Sequence, residues 1–593
     1  MTLRNENIQK NLRRRLKRVA KDACSIKTAK KRLPITRWLP TYNFTILIQD
    51  MIAGITVGLT AIPQGIAYAV VAGLSPEYGL YSGLMGGFVY LFFGSSKDVT
   101  VGPTAIMSAL TARYVLDYSS DFAVLAAFLS GVVILIMGTL QLGFLVDFVS
   151  VPVISGFTTA AALQIASAQF TSLFGLDGKS GTVFSQSVYN FVVNIRTAKL
   201  WDPVLGFSTI LILVLLKKFG EGCSRNDTAV RQFRWLLSLA RNAVVVVIGM
   251  IIVYVIKVVQ DQEPLKLIGD IGSGLPKFQL PPFSTVVGNE TYDFSDMMET
   301  LGPQSIVIPL VSIIESIAIA KAFAGGAQLD ATQEMIALGF CNVIGSFVRS
   351  MPVTGSFTRT ALNNASGVQT PAGGIFTGFL ILLALSLLTS TFYFIPKASL
   401  AGLIITAMFS MIDYEIFMRL WKNSKRELLV MFVTILVSLW FGLEYGLVIG
   451  ILAEAVMLLF RVARPKIEIS SLKTADREAF AIPLGDNVAY CAAEHIRRAV
   501  LEAAQVAGDD AVIIVDGSKL RSMDMTVAAN LMAVVKDLER KSRKIVFLNF
   551  NPEIQKICES INNKHADKFI NAPSAEDLGM LNERKFSAVN VNV

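Results

Sequence analysis

Charged residues and histidines are both scarce in this sequence. Only 17% of its 593 residues are Asp, Glu, Lys or Arg, while 53% are hydrophobic. An ordinary soluble domain is about 25% charged, and a single soluble domain cannot bury this much apolar surface. The two histidines, His495 and His565, lie near the C-terminal end. A single soluble domain is therefore excluded, and so is a histidine-ligated metal within the apolar part.

Cysteine pairs and enzyme motifs are missing as well. The five cysteines are far apart and none stands in Cys-x-x-Cys spacing, so neither a disulfide framework nor a zinc site is expected. The sequence contains no GxxxxGK[ST] phosphate loop, no HExxH and no GxSxG, which are the signatures of ATP-driven pumps and common hydrolases. We expect no catalytic residue, no metal site and no cofactor, and hence no enzyme.

Composition divides the sequence into three parts. Residues 1–49 carry thirteen Lys or Arg and only two acids, residues 50–463 contain one apolar run after another, and residues 464–593 have a soluble composition. Basic residues in front of membrane spans favour the cytoplasmic side and contact anionic lipid. We prefer this interpretation of the basic segment to nucleic-acid binding. We therefore expect a basic cytoplasmic segment, a transmembrane transport domain and a cytoplasmic α/β domain, respectively.

The apolar region predicts fourteen membrane spans. A bilayer crossing takes about 20 mostly apolar residues, and twelve runs are candidate spans: 50–72, 78–94, 121–141, 150–174, 203–218, 236–257, 303–324, 333–348, 374–395, 399–415, 427–442 and 444–462. Two further apolar segments, 99–113 and 351–363, are short and broken by Gly and Pro. They are third and tenth in the count, seven apart, as an inverted repeat would place them.

An even number of spans returns the C-terminus to the cytoplasmic side. The segment 261–299, with seven acids and two lysines, is then an outside loop. Within it Asn289 begins an Asn-x-Thr sequence, which makes it a candidate glycosylation site.

The two interrupted segments predict a binding site. A helix that starts in mid-membrane exposes N–H groups that lipid cannot satisfy, so it survives where it lines a cavity or binds a ligand. Its N-terminus carries about half a positive charge. Ser356, Phe357, Thr358 and Arg359 stand at the start of the second such helix, and two such ends facing each other predict an anion site. N-capping is the alternative role for Ser356 and Thr358.

Two further polar residues lie inside apolar runs. Gln64 follows Pro63 in the first span and either offers amide donors to a ligand or repairs the hydrogen bonds that the proline frees. Glu315 interrupts the eighth span, where a carboxyl group is costly and usually functional. Glu315 either pairs permanently with Arg359 or releases and takes up a proton, in which case its protonation would favour anion loading.

Ordered motifs along most of the sequence resemble the sulfate permease family, also called solute carrier family 26. The resemblance covers roughly residues 40–590 and rests on Pro63-Gln64-Gly65, Pro76-Glu77-Tyr78-Gly79-Leu80-Tyr81, Val101-Gly102-Pro103-Thr104, Pro152-Val153-Ile154-Ser155-Gly156-Phe157 and Ser356-Phe357-Thr358-Arg359. Within the family, the residues around Phe88-Val89-Tyr90 and Asp98-Val99-Thr100 look most like the sodium-independent sulfate anion transporter branch.

The resemblance implies a fold and a site. The fold is a seven-plus-seven inverted repeat, UraA-like, with core and gate domains, an elevator movement, a cytoplasmic STAS domain and a homodimer. The anion-site positions carried over are Gln64, Thr104, Glu315, Ser356, Phe357, Thr358 and Arg359. Thr526 matches the place of a phosphorylatable residue at the start of a STAS helix, for which a simple helix cap is the alternative.

These observations predict a secondary active transporter of sulfate or another small inorganic anion, driven by proton symport or by anion exchange. A chloride/bicarbonate exchanger or a chloride channel on the same scaffold is the alternative, and a signalling role of the cytosolic domain is a third. The acid at Glu315 and the threonine at Thr104 resemble proton-coupled sulfate symporters of plants and microbes. No address motif separates the plasma membrane from lysosomes or other endomembranes.

Overall fold

The computed structural model describes residues 32–178, 181, 183–220, 229–260, 265–269, 274–324, 329–473, 478–508, 511–571 and 586–587. The chain divides into two compact units, Met1–Ile451 and Leu452–Val593. Most of the predicted basic segment 1–49 lies outside the described residues.

Fourteen helices coincide with the fourteen predicted spans. Seven candidate spans in the described chain are long and apolar enough to cross a membrane by length and composition alone, and the others are shorter or less apolar. The fourteen helices are α1 (Phe44–Val71), α2 (Pro76–Phe93), α3 (Ala105–Asp117), α4 (Ser120–Thr139), α5 (Val151–Ala168), α6 (Trp201–Phe219), α7 (Arg241–Gln260), α8 (Gln304–Phe323), α9 (Ala331–Ser346), α10 (Phe357–Ala365), α11 (Gly373–Leu387), α12 (Lys397–Phe409), α13 (Lys425–Phe441) and α14 (Leu443–Ala463).

The two interrupted segments each form a short strand followed by a short helix. Strand β1 (Val101–Gly102) precedes α3, and strand β2 (Thr354–Gly355) precedes α10. At about 1.5 Å per residue, neither helix is long enough to cross a bilayer alone, which takes about 20 residues. A half-length helix is therefore present at each of the two predicted positions.

The two halves repeat one another in sequence order. Helix α9, strand β2 and helix α11 start 255, 253 and 253 residues after α2, β1 and α4, respectively. Seven helices per repeat is an odd number, so the second repeat has the opposite orientation across the membrane. The architecture is the expected seven-plus-seven inverted repeat.

The helices pack as two groups. In the first group, α4 packs on α9, α11 packs on α1 and α2, and α8 packs on α4; α3 and α10 belong to this group, which corresponds to the core domain. In the second group, α13 packs on α5 and α12 packs on α6, which corresponds to the gate domain. The half-length helices therefore belong to one group of helices drawn equally from the two repeats.

Glycines let helices of the core approach each other closely. A Cβ added to Gly54 would lie 2.2 Å from the carbonyl oxygen of Gly373, and one added to Gly87 would lie 2.4 Å from that of Gly374. Helices α1 and α2 therefore both contact α11 backbone to backbone. Small residues allow this close approach of helices within a membrane domain.

Short helices and turns link the spans. They are Ile35–Trp38, Leu39–Thr41, Leu142–Phe148, Phe170–Leu173, Phe184–Asn194, Ile195–Thr197, Ala229–Leu239, Phe294–Leu301, Thr389–Phe392 and Tyr414–Asn423. A hairpin of Thr285–Val287 and Glu290–Tyr292 lies between α7 and α8.

The second unit contains a mixed six-stranded sheet. Its strands are β3 (Ser470–Lys473), β4 (Glu478–Pro483), β5 (Val512–Asp516), β6 (Lys544–Leu548), β7 (Phe569–Ile570) and β8 (Phe586–Ser587), in the order β7-β6-β5-β4-β3-β8. Strands β4 to β7 are parallel neighbours, whereas β3 and β8 are antiparallel. Helices α15 (Ala493–Val506), α16 (Met525–Arg540) and α17 (Pro552–Ile561), together with the short elements Asn487–Val488, Tyr490–Ala492, Ser522–Met523 and Asn563–Lys568, complete the unit. Alternating strands and helices of this kind agree with the expected α/β domain.

We predict that Gly87→Ala lowers the melting temperature of the detergent-solubilised protein. The new methyl group would meet the backbone of α11, and overpacking of this kind costs about 1–3 kcal/mol. Gly83→Ala, one turn earlier on the same helix, is the matched control, because its methyl group would meet the flexible end of Ile381 at 3.1 Å. Equal melting temperatures for the two variants would contradict the close contact of α2 with α11.

Candidate anion site

The two half-length helices are brought together by their strands. Strand β1 pairs antiparallel with β2, with Val101 opposite Gly355 and Gly102 opposite Thr354. The amide of Ser356 continues the ladder by donating to the carbonyl oxygen of Thr100 at 3.0 Å. Since each strand leads directly into its helix, the pairing places the N-termini of α3 and α10 next to each other.

Helix α3 begins with a capped end. Thr104 is its N-cap residue, and the Thr104 hydroxyl accepts from the amide of Met107 at 3.4 Å. The amides of the first turn that remain without a helical partner point back toward β1. Thr104 therefore lies at the positive end of the helix dipole.

Helix α10 begins differently. Ser356 is its N-cap residue, but the Ser356 side chain makes no capping hydrogen bond; its hydroxyl lies 3.4 Å from that of Thr358. The capping alternative for Ser356 is therefore wrong, and both hydroxyls stay at the helix start. Phe357 is 48% exposed, with its ring 5.3 Å from that of Phe323, so an aromatic side chain borders the helix start on its accessible side.

Arg359 joins the two halves of the site. It is 1% exposed and is the largest fully buried side chain among the described residues. Its Nη2 donates to the carbonyl oxygen of Pro103 at 2.8 Å, whereas Nη1 is buried without a hydrogen-bond partner. A buried guanidinium with an unpaired N–H group is costly, and it favours a negatively charged ligand.

Glu315 approaches the same place from α8. Its carboxyl group lies beside the Thr104 hydroxyl and within electrostatic range of Arg359, and its Oε2 is buried without a partner. Among the described residues no ion pair joins Glu315 to Arg359. A permanent ion pair is thus not the arrangement in this structure, and one unpaired acceptor and one unpaired donor are left near each other.

Gln64 lies on α1, which packs against α10. It is 1% exposed and its Oε1 has no hydrogen-bond partner, which leaves an unpaired acceptor beside the start of α10. Tyr68, one helical turn further on, is 3% exposed and lies within electrostatic range of both Arg359 and Glu315. Sequence reasoning missed Tyr68, although its spacing of four from Gln64 places it on the same helix face.

The other two predicted sites are on exposed surfaces. Asn289 lies in the exposed turn of the hairpin between α7 and α8. Thr526 is exposed at the second residue of α16. The N-cap residue of that helix is Asp524, so the alternative role of Thr526 as the helix cap is wrong.

Two family models match this chain. The model of the sulfate permease family matches residues 47–434, and that of the STAS domain matches residues 473–573. The chain belongs to the sulfate permease family. The resemblance drawn from the motifs is thereby confirmed, and the protein is a multi-pass membrane transporter and not an enzyme.

Relatives in this family are named for sulfate. The chain is 40% identical to the sodium-independent sulfate anion transporter of Bos taurus over 561 residues, which cover 93% of this chain and 92% of the relative. It is 35% identical to sulfate permease 1 of Saccharomyces cerevisiae over 466 residues, covering 73% of this chain and 53% of the yeast protein. The chain thus spans nearly the full bovine relative and about half of the yeast one.

The fold has close structural neighbours. The murine solute carrier 26 family member A9 anion transporter, solved in an inward-facing state, superimposes with a TM-score of 0.81 at 20% identity, covering 93% of this chain and 94% of the murine chain. This similarity confirms the fold class. The candidate site described above lies between the third and tenth spans, with residues from the first and eighth spans beside it.

We predict that Arg359→Lys lowers sulfate uptake into proteoliposomes by at least about tenfold. Lysine keeps the charge but loses the planar fork that bonds Pro103 with one nitrogen and presents another to the ligand. Arg113→Lys is the matched control, because the Arg113 side chain on α3 is 64% exposed and lies away from the helix start. Uptake by Arg359→Lys equal to that by the Arg113 control would show that Arg359 has no part in anion binding.

Proposed function

We propose that this protein is a secondary active transporter of sulfate. The observation that carries the proposal is the buried Arg359, whose Nη1 has no partner, at the start of one half-length helix that is paired with the start of another. A divalent oxyanion matches this arrangement because it can accept several hydrogen bonds at once. The sulfate-named relatives support the same substrate.

The proposed binding residues surround the two helix starts. Each helix end contributes about half a positive charge, and Arg359 adds a full one. The hydroxyls of Thr104, Ser356 and Thr358 supply neutral donors, Gln64 supplies amide donors, and the Phe357 ring shields one side of the anion. Glu315 supplies the opposite charge within the same site.

We propose that transport follows an elevator movement. These residues lie on α1, α8 and α10 or are the N-cap residues of α3 and α10, and the four helices belong to one packed group. Moving that group as a body against the gate helices would carry the anion across without taking the site apart. The separate packing of α5, α6, α12 and α13 supports this division of labour.

Proton coupling is the proposed role of Glu315. A carboxylate beside an anion site repels the anion, whereas the protonated acid does not and can donate a hydrogen bond to it. Loading of sulfate would then be tied to uptake of a proton, giving symport down a proton gradient. The unpartnered Oε2 of Glu315 is free to take up this proton.

The remaining assignments complete the proposal. The transport domain is taken as residues 50–463 and the cytoplasmic STAS domain as residues 464–593, with both termini in the cytoplasm. The functional unit is a homodimer in the plasma membrane or an endomembrane such as that of lysosomes. Asn289 is then outside and open to glycosylation, and Thr526 is cytoplasmic and open to phosphorylation.

Labelled-sulfate flux into proteoliposomes tests the function. With an inward proton gradient, we expect sulfate uptake that saturates with concentration and exceeds uptake without the gradient. Stimulation by internal chloride instead would indicate anion exchange. Bicarbonate or chloride flux with no sulfate flux, or large unitary currents in a planar bilayer, would overturn the proposal in favour of an exchanger or a channel.

Glu315→Gln tests the coupling. The amide mimics the protonated acid at every pH, so we expect sulfate uptake by this variant to lose its increase with falling pH while uptake itself persists. Glu334→Gln is the matched control. Glu334 is also buried within the core, but its carboxylate accepts from the Tyr90 hydroxyl at 2.8 Å and from the Ser95 amide at 3.0 Å. A wild-type pH profile in Glu315→Gln would eliminate Glu315 as the coupling residue.

A further inference from the structure

The strand in front of α10 is held by side chains of two neighbouring helices. Val353, directly before β2, is 1% exposed, and its backbone is bonded by Asn342 of α9 and Ser312 of α8, neither of which has exposed surface. Neither Asn342 nor Ser312 belongs to the binding residues proposed above. These two side chains are called the β2 clamp below.

Asn342 bonds both backbone polar groups of Val353, its N–H and its carbonyl oxygen. The Asn342 Oδ1 accepts from the amide of Val353 at 2.9 Å, and its Nδ2 donates to the carbonyl oxygen of Val353 at 2.9 Å. A side-chain amide thus takes the place of a neighbouring strand. Nδ2 also donates to the carbonyl oxygen of Leu338, one turn earlier on α9, at 3.0 Å, which fixes the orientation of the amide.

Ser312 bonds the same carbonyl oxygen of Val353 as Asn342 does. Its hydroxyl donates to the carbonyl oxygen of Val353 at 2.9 Å, and the hydroxyl of Thr354 donates back to the carbonyl oxygen of Ser312 at 2.7 Å. Ser312 stands three residues before Glu315, on the same face of α8. The clamp therefore ties β2 to the helix that carries Glu315.

The position of Arg359 depends on this attachment. Only three residues separate β2 from Arg359, so the strand sets where the guanidinium lies. Strand β1 pairs with β2 and with no other strand among the described residues, so the start of α3 is held through the same attachment. Gly355 leaves little room for slippage, since a Cβ there would lie 3.2 Å from Oγ of Ser316.

We propose that Asn342 and Ser312 are positioning residues for the anion site. By holding the backbone of Val353 between α8 and α9, the β2 clamp sets the spacing between Glu315 and Arg359. This spacing in turn sets the affinity for the anion. The proposal rests on the proposed function of this site, because it assigns its effect to anion affinity. The clamp is asymmetric: its side chains come only from the second repeat, although both half-length helices depend on it.

The test compares full-length Asn342→Leu, Ser312→Ala and the double variant with wild type in proteoliposomes. We expect the KM for sulfate to rise roughly tenfold in Asn342→Leu, since about 1.4 kcal/mol per tenfold change is the scale of one or two buried hydrogen bonds. A smaller rise is expected in Ser312→Ala, with Vmax reduced less than KM is raised. The KM of the double variant should rise by a smaller factor than the product of the two single-variant factors, because both side chains bond the carbonyl oxygen of Val353.

A second measurement separates positioning from folding. Sulfate should raise the melting temperature of each purified variant less than that of wild type at equal concentration, because the stabilisation by a ligand grows with the logarithm of its affinity. Ser167→Ala is the matched control: this buried gate serine donates to the carbonyl oxygen of Gln164 at 2.8 Å, away from β2. If Asn342→Leu does not fold, the test uses Ser312→Ala, whose KM and sulfate-induced change in melting temperature are compared with those of Ser167→Ala.

Each outcome has one meaning. An unchanged KM in folded Ser312→Ala and Asn342→Leu, or an equal change in Ser167→Ala, would overturn the β2 clamp. Failure of the wild type to transport sulfate, or to be stabilised by it, would instead overturn the proposed function. The same comparison would then be made with whichever of chloride and bicarbonate the wild type carries, so that the clamp is judged by its effect on the affinity for that anion.

Discussion

The architecture of the site depends on two residue pairs of antiparallel β-ladder in the middle of a helical membrane domain. Within lipid, backbone polar groups must find partners in the protein. The ladder between β1 and β2 supplies them where two chains leave the helical conformation. Because both strands lead straight into helices, the same hydrogen bonds that satisfy the broken backbone also direct two helix dipoles toward one place. The irregular backbone and the electropositive site therefore have one cause.

The inverted repeat explains why the strands are antiparallel. Two copies of one unit with opposite orientation in the membrane meet about a pseudo-two-fold axis, and equivalent strands related by such an axis run in opposite directions. The repeats nevertheless differ in their side chains. The second repeat provides Arg359, Glu315 and the β2 clamp, whereas the first provides Thr104 and Gln64. Symmetry of the backbone thus supports a site whose charges are asymmetric.

Three residues around the two helix starts carry polar atoms that the fold leaves without hydrogen bonds. The Nη1 of Arg359, the Oε2 of Glu315 and the Oε1 of Gln64 are all buried without hydrogen-bond partners, although nearly all buried polar atoms in native proteins are paired. Elsewhere in the same domain, Asn342 and Glu334 are fully bonded. Other buried hydroxyls without partners, such as those of Ser130 and Ser438, lie elsewhere in the domain, so the helix starts are distinguished by the charges of Arg359 and Glu315.

The sequence by itself determined the fourteen spans, the two interrupted segments seven apart and the presence of a separate α/β domain, because hydropathy and helix-breaking residues act locally along the chain. It also pointed to Arg359 and Glu315, since charges inside apolar runs are conspicuous. Tertiary structure alone decided that Thr104 caps its helix while the Ser356 hydroxyl does not, and that Arg359 bonds Pro103 and not Glu315. It also decided that Tyr68 lies near both charges and that Asn342 bonds the backbone of Val353. Those choices depend on distances between residues far apart in the chain, which no local pattern encodes.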